Sequence, residues 1–392
     1  MRIKRFAAAI VCGAVMLTAL AGCGDSSVKE SSGSAGKQQT QKGEVKSSMN
    51  SVKKLGRTYS AEDGSLWLGL SGTGAEFDFT GTRLTVTLQG NAPNGQNNIA
   101  RAAVFVDGEC KSDLLVRSGS QQIEIEGKGS ESVNVRIIKL SESQFSCCGI
   151  TDIDAHGGTV SPAAEKARKI EFIGDSITCG YGVDDTDLSH GFSTASEDCT
   201  KSYAIKTAQL LGADHSLVSY SGYGVISGYT DDGEKSADRT VGTLYEKYAG
   251  TEDSGFDGID PSKLDWDFNG FVPQVIVINL GTNDSSYTGS DSARQQEFVQ
   301  GYIGLLKQVR AKNPAAKIFC VLGTMGDLLC GSVKEAAAQY SARTGDTDIV
   351  TFDLPVQDIE NDGAAINYHP TEKTYDKAAK LLSEKIRSEM GW

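Results

Sequence analysis

Four short stretches carry the residue types that acyl transfer needs. Gly174-Asp175-Ser176 places a hydroxyl directly after the apolar run Lys169–Ile173. Tyr220-Ser221-Gly222-Tyr223-Gly224 follows a second apolar run, and a glycine N–H there can approach a ligand closely. Gly281-Thr282-Asn283-Asp284 ends a third run and offers a side-chain amide, while Asn367-Tyr368-His369-Pro370 brings an imidazole just ahead of the last helical segment. Acyl transfer requires a nucleophile, a base and donors aimed at the developing oxyanion. Ser176, His369, the N–H groups of Ser176 and Gly222, and the Asn283 amide would supply them. Each fragment also has a structural reading: Asp and Ser are ordinary helix N-caps, Asn283 and Gly222 suit turns, and His369 suits a cap. Their location relative to one another decides between the readings.

That location follows from the elements. From Lys169 to Trp392, strand-like runs at 169–173, 216–220, 274–280, 317–322 and 348–352 alternate with helical runs at 202–211, 291–312, 332–344 and 371–390. Short apolar strands with helices between them predict a five-stranded parallel sheet covered on both faces. In such folds the site lies beyond the carboxyl ends of the strands, where the four stretches fall. Tyr223, Trp266 and Tyr368 lie near them in sequence and are candidates to line a substrate subsite, with ordinary packing as the other reading.

Residues 55–154 have a different character. Short β-rich segments at 65–70, 75–79, 83–88, 101–106, 122–126 and 132–138 alternate apolar with polar and are separated by glycine-bearing turns. This pattern predicts an antiparallel sandwich of the jelly-roll kind. No cluster of exposed aromatics is visible, which favours a buttress over a carbohydrate-binding module. Residues 155–168 read as a connector to the second domain, 169–392.

A formal charge of −13 argues against nucleic acid, which needs a basic surface. Seven of the nine cysteines fall in the two folded regions, where Cys179 with Cys199 and Cys320 with Cys330 are candidate bridges. A metal site is disfavoured, because there is no Cys-x-x-Cys pair and only four histidines. His156, His190 and His215 read as surface or packing residues. The Asp184-Asp185-Thr186-Asp187 and Asp231-Asp232-Gly233-Glu234 clusters read as solvated loops, since neither has the twelve-residue calcium-loop pattern.

The amino terminus reads as a leader. Arg2, Lys4 and Arg5 precede the apolar run Phe6–Leu20, followed by Leu20-Ala21-Gly22-Cys23. The run is short for a membrane span. Leu-Ala-Gly-Cys resembles the bacterial lipoprotein cleavage box, which implies a signal peptide over 1–22, lipidation of Cys23 and residence on the extracellular face of the cell membrane. Residues 23–54 are dominated by Ser, Gly, Gln and Lys and read as a flexible tether with a root-mean-square reach of roughly 30 Å.

The second domain resembles the SGNH (GDSL-like) hydrolases, whose four blocks are matched by Gly174-Asp175-Ser176, Gly222, Gly281-Thr282-Asn283-Asp284 and His369-Pro370. Together with Gly174-Asp-Ser-Ile-Thr-Cys-Gly-Tyr-Gly182 and the preceding sandwich, the chain is similar to carbohydrate esterase family two. The resemblance implies a jelly roll followed by a three-layer α/β/α hydrolase domain. It also implies an esterase removing O-acetyl groups from plant polysaccharides such as xylan or glucomannan, with no metal or organic cofactor. A lipase, lysophospholipase or thioesterase of the same superfamily, or a non-catalytic carbohydrate-binding protein, are the rival readings. One departure stands out. Most SGNH hydrolases carry Asp three residues before the histidine, where this chain has Ile366. A Ser176–His369 dyad steadied by a backbone carbonyl is the expectation; Asp362 or Asp358 are the alternative partners.

Overall fold

The computed structural model describes residue 49, residues 51–91 and residues 95–392. The leader, Cys23 and nearly all of the tether lie outside the described residues.

The first domain is built from eleven strands: β1 (Lys53–Leu55), β2 (Thr58–Ser60), β3 (Leu66–Leu68), β4 (Gly74–Thr80), β5 (Arg83–Gly90), β6 (Ala100–Val106), β7 (Glu109–Val116), β8 (Gly119–Glu126), β9 (Ser132–Lys139), β10 (Cys148–Asp154) and β11 (Thr159–Pro162). They form two antiparallel sheets, β1-β4-β9-β6-β7 with β11 also on β4, and β2-β3-β10-β5-β8. Period-two alternation explains why these segments pair face to face. Phe77, Phe79, Val135 and Ile137 of one sheet meet Leu84, Val86, Leu88 and Ile150 of the other in one core. Strand β11 lies inside the stretch read as a connector, so the sandwich extends to Pro162 and the link shortens accordingly. Strands β7 and β10, with Glu-Cys-Lys-Ser-Asp and Cys-Gly-Ile-Thr-Asp in them, lack the alternation that marks strands such as β4 and β9.

The second domain has a parallel sheet of β12 (Arg168–Gly174), β13 (Ala213–Ser219), β14 (Val275–Asn279), β15 (Lys317–Leu322) and β16 (Ile349–Asp353). Their order is β13-β12-β14-β15-β16, so the topological switch lies beside β12, the position where such sheets bind ligands. The main helices are α2 (Tyr203–Leu210), α4 (Ser292–Lys312), α5 (Cys330–Thr344) and α7 (Glu372–Met390), with short turns α1 (Ser176–Cys179), α3 (Asp284–Thr288) and α6 (Ile359–Asp362). Alternate strand residues face opposite layers. Ile170, Phe172, Val275 and Val277 pack on α2 and α7, whereas Ile173, Ile276 and Ile278 pack on α4 and α5. Burial on both faces explains the near-continuous apolar runs.

The two domains belong to one compact unit. Tyr59 and Trp67 of the sandwich pack on Phe256 of the second domain. Arg57, fully buried, donates to Glu171 of β12 at 3.1 Å and to the carbonyls of Tyr245 and Lys247. Lys53 pairs with Asp214 at 2.7 Å, and Arg101 with Asp184 at 2.7 Å. Asp184 therefore bridges the domains from a loop that is otherwise solvated, as expected for residues 184–187. These contacts make the sandwich a buttress.

The seven described cysteines are all free thiols. Cys179 donates to Ser219 Oγ at 3.2 Å and Cys199 to the Lys139 carbonyl at 3.5 Å, so the candidate bridges 179–199 and 320–330 do not form. Burial raises the thiol pKa of Cys147, Cys148, Cys179, Cys199 and Cys320, which leaves them poor nucleophiles.

Candidate active site

The parallel register assembles the site. Gly174 pairs with both Ser219 and Asn279, so three strand ends lie side by side. The segments that leave them carry Ser176, Gly222 and Asn283. Gly174 has to be glycine, since a Cβ would meet Thr178 Oγ1 at 2.0 Å. Asp175 is the N-cap of α1, its carboxylate accepting the Ile177 N–H at 3.0 Å, and Ser176 opens the turn with 7% of its surface exposed.

His369 arrives from the other side, on the segment between α6 and α7. Its Nε2 lies 2.8 Å from Ser176 Oγ, and its Nδ1 lies 3.2 Å from the Ile366 carbonyl oxygen. That carbonyl also accepts the His369 backbone N–H at 3.1 Å. Ile366 is fully buried, with its Cβ packed on Gly182. Asn367 and Tyr368 follow with φ of 52° and 61°, a rarely populated backbone for side-chain-bearing residues. Two left-handed residues in succession swing the chain so that the Ile366 carbonyl faces the ring. Asp362 instead pairs with Lys373 and Lys377, and Asp358 caps α6. Neither alternative carboxylate is hydrogen-bonded to His369.

Gly222 sits at φ 79° with open space where a Cβ would be, and its carbonyl accepts the Tyr229 N–H at 2.8 Å. The N–H groups of Ser176 and Gly222 have no protein acceptor among the described residues. The Asn283 amide donates to the Tyr223 carbonyl at 2.8 Å, with Asp175 Oδ2 3.4 Å away. Next in sequence, Asp284 accepts the N–H groups of Val225, Ile226 and Ser227, tying β14's exit to the Gly222 loop.

Burial sets the electrostatics. Desolvation pushes Asp175 up to about 7, with Asp284 adding to the shift. It pushes Asp284 up to about 6 against the three backbone donors that oppose it. Desolvation also pushes His369 down to about 4, with the Ile366 carbonyl opposing. A neutral imidazole beside a serine hydroxyl can accept its proton at neutral pH.

Of the three aromatic candidates, Tyr223 lies in the site by its carbonyl, and its ring packs on Tyr220. Tyr368 is 59% exposed on the segment carrying His369. Trp266 is not brought there. It lines a cavity of about 220 Å³ with Lys53, Lys169, Asp214 and His215, near the amino ends of β12 and β13. One aromatic was missed. Tyr181 packs 4.4 Å from the His369 ring and 3.9 Å from Phe192, and its hydroxyl accepts from Asn367. Its place in the Gly174–Gly182 stretch was the available signal. Neither His156, on Thr85, nor His190, on Asp185, nor His215, on the Gly72 carbonyl, is hydrogen-bonded to site residues.

Residues 172–377 match the GDSL-like Lipase/Acylhydrolase family, and residues 54–163 match the carbohydrate esterase 2 N-terminal domain. The chain is 32% identical over 329 residues to a cellulase/esterase of Acetivibrio thermocellus, covering 82% of this chain but 37% of that longer protein. It is 26% identical over 343 residues to an acetylxylan esterase/glucomannan deacetylase of Cellvibrio japonicus, covering 87% of this chain and 89% of the relative. Among solved structures, a family two carbohydrate esterase from Clostridium thermocellum in complex with cellohexaose is similar at TM-score 0.75 and 28% identity, covering 87% of this chain and 99% of that one.

Proposed function

The chain belongs to the GDSL-like lipase/acylhydrolase family, and from that membership we propose that it is a carbohydrate O-acetyl esterase acting on plant polysaccharides such as acetylxylan or glucomannan. The observation that carries the chemistry is the 2.8 Å contact between His369 Nε2 and Ser176 Oγ, with Nδ1 turned to a backbone carbonyl. His369 takes the hydroxyl proton as Ser176 attacks the acetyl carbonyl. The tetrahedral oxyanion is held by the Ser176 and Gly222 N–H groups and by Asn283, whose amide keeps one N–H on the Tyr223 carbonyl and has a second to offer. His369 then protonates the departing sugar oxygen, leaving an acetyl-serine. Water, deprotonated by the same imidazole, attacks that ester and releases acetate. Protein groups and water carry every step.

Acetate release from a panel of acetylated xylan, glucomannan and pectin, beside long-chain acyl esters, tests the substrate class. Release from the polysaccharides supports it; preference for long-chain esters would instead make the protein a lipase or thioesterase.

The dyad has a pH signature. The base must be neutral, so a lowered His369 pKa extends activity into acid. The acid limb of kcat/KM is expected near pH 4 to 5, below the ordinary imidazole value of about 6.5. A limb near 7 that Asp175→Asn abolishes would assign the titration to Asp175 and overturn this expectation.

The enzyme works on the extracellular face of the cell membrane, held there by a lipid on Cys23. Support comes from the basic start, the apolar run Phe6–Leu20 and Leu20-Ala21-Gly22-Cys23. Metabolic labelling with an alkyne fatty acid should tag the wild-type chain and not Cys23→Ser; equal labelling of both would exclude this anchor.

A further inference from the structure

The chain between β9 and β10, residues 140–147, leaves the sandwich and enters the hydrolase domain close to the Tyr220–Gly222 loop. Glu142 on it has no exposed surface, and neither do Lys139 before it or Glu197 opposite. A carboxylate is costly to bury unless its oxygens are engaged. Glu142 Oε2 accepts the Ser221 N–H at 2.9 Å, and the Glu142 N–H donates to Glu197 Oε2 at 2.9 Å. Ser143 Oγ donates to the Gly250 carbonyl at 2.8 Å, fixing the same loop from its next residue.

Ser221 immediately precedes Gly222, whose N–H is an oxyanion donor in the reading above. A glycine has the widest backbone freedom, so a glycine donor points in a fixed direction only if its neighbours are clamped. Here the clamp has two sides. Glu142 holds the Ser221 N–H before the glycine, and the Tyr229 N–H holds the Gly222 carbonyl after it. Preorganised donors are what lower the barrier in acyl transfer.

The other oxygens of the two carboxyl groups, both named Oε1, accept from no N–H or hydroxyl among the described residues, while the two side chains are hydrogen-bonded to each other and ligand atoms of Glu142, Glu197 and Cys179 lie within 4.8 Å of one another. Two adjacent buried carboxyl groups cannot both ionise cheaply. Burial raises the pKa of each, and for Glu197 the neighbouring Glu142 charge adds to it. Lys139, whose ammonium donates to the Ser141 and Glu142 carbonyls, supplies one positive charge to the cluster. One retained proton on the pair leaves one negative charge to balance it.

We propose that Glu142 is a positioning residue for the oxyanion loop, delivered by the sandwich domain and kept buried by a proton shared with Glu197. The sandwich thereby contributes to turnover as well as to folding. The proposal rests on the esterase reading, and its test is separable from it.

Glu142→Met keeps the length and removes the acceptor. Glu142→Gln keeps an acceptor for Ser221 and a donor for Glu197. Glu142→Asp withdraws the acceptor by one methylene while staying polar, which covers the case in which the Met variant fails to fold. Active sites are counted by end-point labelling with a serine-reactive phosphonate, and kcat and KM for an acetyl ester are measured per labelled site. Met and Asp are expected to lower kcat by about 10- to 100-fold with KM within about threefold, the partial loss of one donor. Gln is expected to recover most of that loss. Wild-type kcat per labelled site in both Met and Asp would overturn the proposal, as would a Gln variant as impaired as Met. So would a stoichiometric metal in the purified wild-type chain, which would give the three buried ligand groups a different partner. Failure of the esterase reading would appear separately, as acetate release that survives in Ser176→Ala.

Discussion

Ser176→Ala is expected to lower kcat for acetyl ester hydrolysis on the order of 10⁵- to 10⁶-fold while leaving the melting temperature unchanged within a few degrees. The size follows from the geometry. Among the described residues, Ser176 Oγ is the hydroxyl hydrogen-bonded to His369 Nε2, and it stands two residues beyond the end of β12. His369→Ala should cost about as much, and the double variant little more, because the two groups act on one proton. Near-additive losses would mean that they act separately. The fold has little to lose from the first change, since Ser176 Oγ makes one hydrogen bond and the helix turn is capped by Asp175. Acetate release measured by coupled assay, with thermal melts alongside, reads both quantities. Wild-type-like release from Ser176→Ala would remove Ser176 from the mechanism.

The largest stability effect is expected at Arg57. Its guanidinium has no exposed surface, lies 3.1 Å from Glu171 Oε2, and stacks within 5.5 Å of Tyr245, Trp266 and Phe268. Glu171 is equally enclosed, taking further hydrogen bonds from the Tyr245 hydroxyl at 2.9 Å and Ser216. Arg57→Met fills much of the volume and leaves that carboxylate uncompensated inside the protein. A buried pair broken on one side costs about 3–5 kcal/mol. Urea denaturation should show that loss for Arg57→Met and a partial recovery when Glu171→Gln is added, since the unpaired charge is then gone. A loss under about 1 kcal/mol for the single variant would show that the pair contributes little, as exposed ion pairs do. The same experiment reports on domain coupling, because Arg57 belongs to the sandwich and Glu171 to β12 of the hydrolase sheet.

Much of the site was legible before the fold was known, and the reason is local. Ser176, Gly222 and Asn283 each lie just beyond an apolar strand, and parallel strands place such residues on one edge whatever else the chain does. His369 was legible because it stands directly before a strongly amphipathic final helix, whose buried positions 374, 375, 378, 379, 382 and 386 recur at helical spacing. Of the strands that escaped notice, β7 and β10 have polar residues that break the alternation, while β1, β2 and β11 are only three or four residues long. Trp266 was placed near the site by its sequence distance from Asn283 and lies instead at the opposite edge. A long excursion between β13 and β14 separates sequence neighbours from spatial ones. Tyr181 and Glu142 were missed for opposite reasons. Tyr181 sat inside a recognised stretch without a role, and Glu142 sat in a different domain with no pattern around it.

The question left open by Ile366 was answered by backbone geometry. No residue type encodes that a carbonyl three positions upstream will face an imidazole. It follows from Asn367 and Tyr368 adopting left-handed φ while Ile366 is packed on Gly182. Residue types and their periodicity thus determined by themselves the two-domain architecture, the parallel sheet and the placement of Ser176, Gly222 and Asn283 at its carboxyl edge, because those depend on local propensity and on burial patterns that repeat along the chain. Only the tertiary structure decided what orients His369, which cysteines stay reduced and that a glutamate of the sandwich reaches the Ser221 N–H. Those depend on contacts between residues 40 to 80 positions apart or on carbonyl directions, and neither leaves a periodic trace in the sequence.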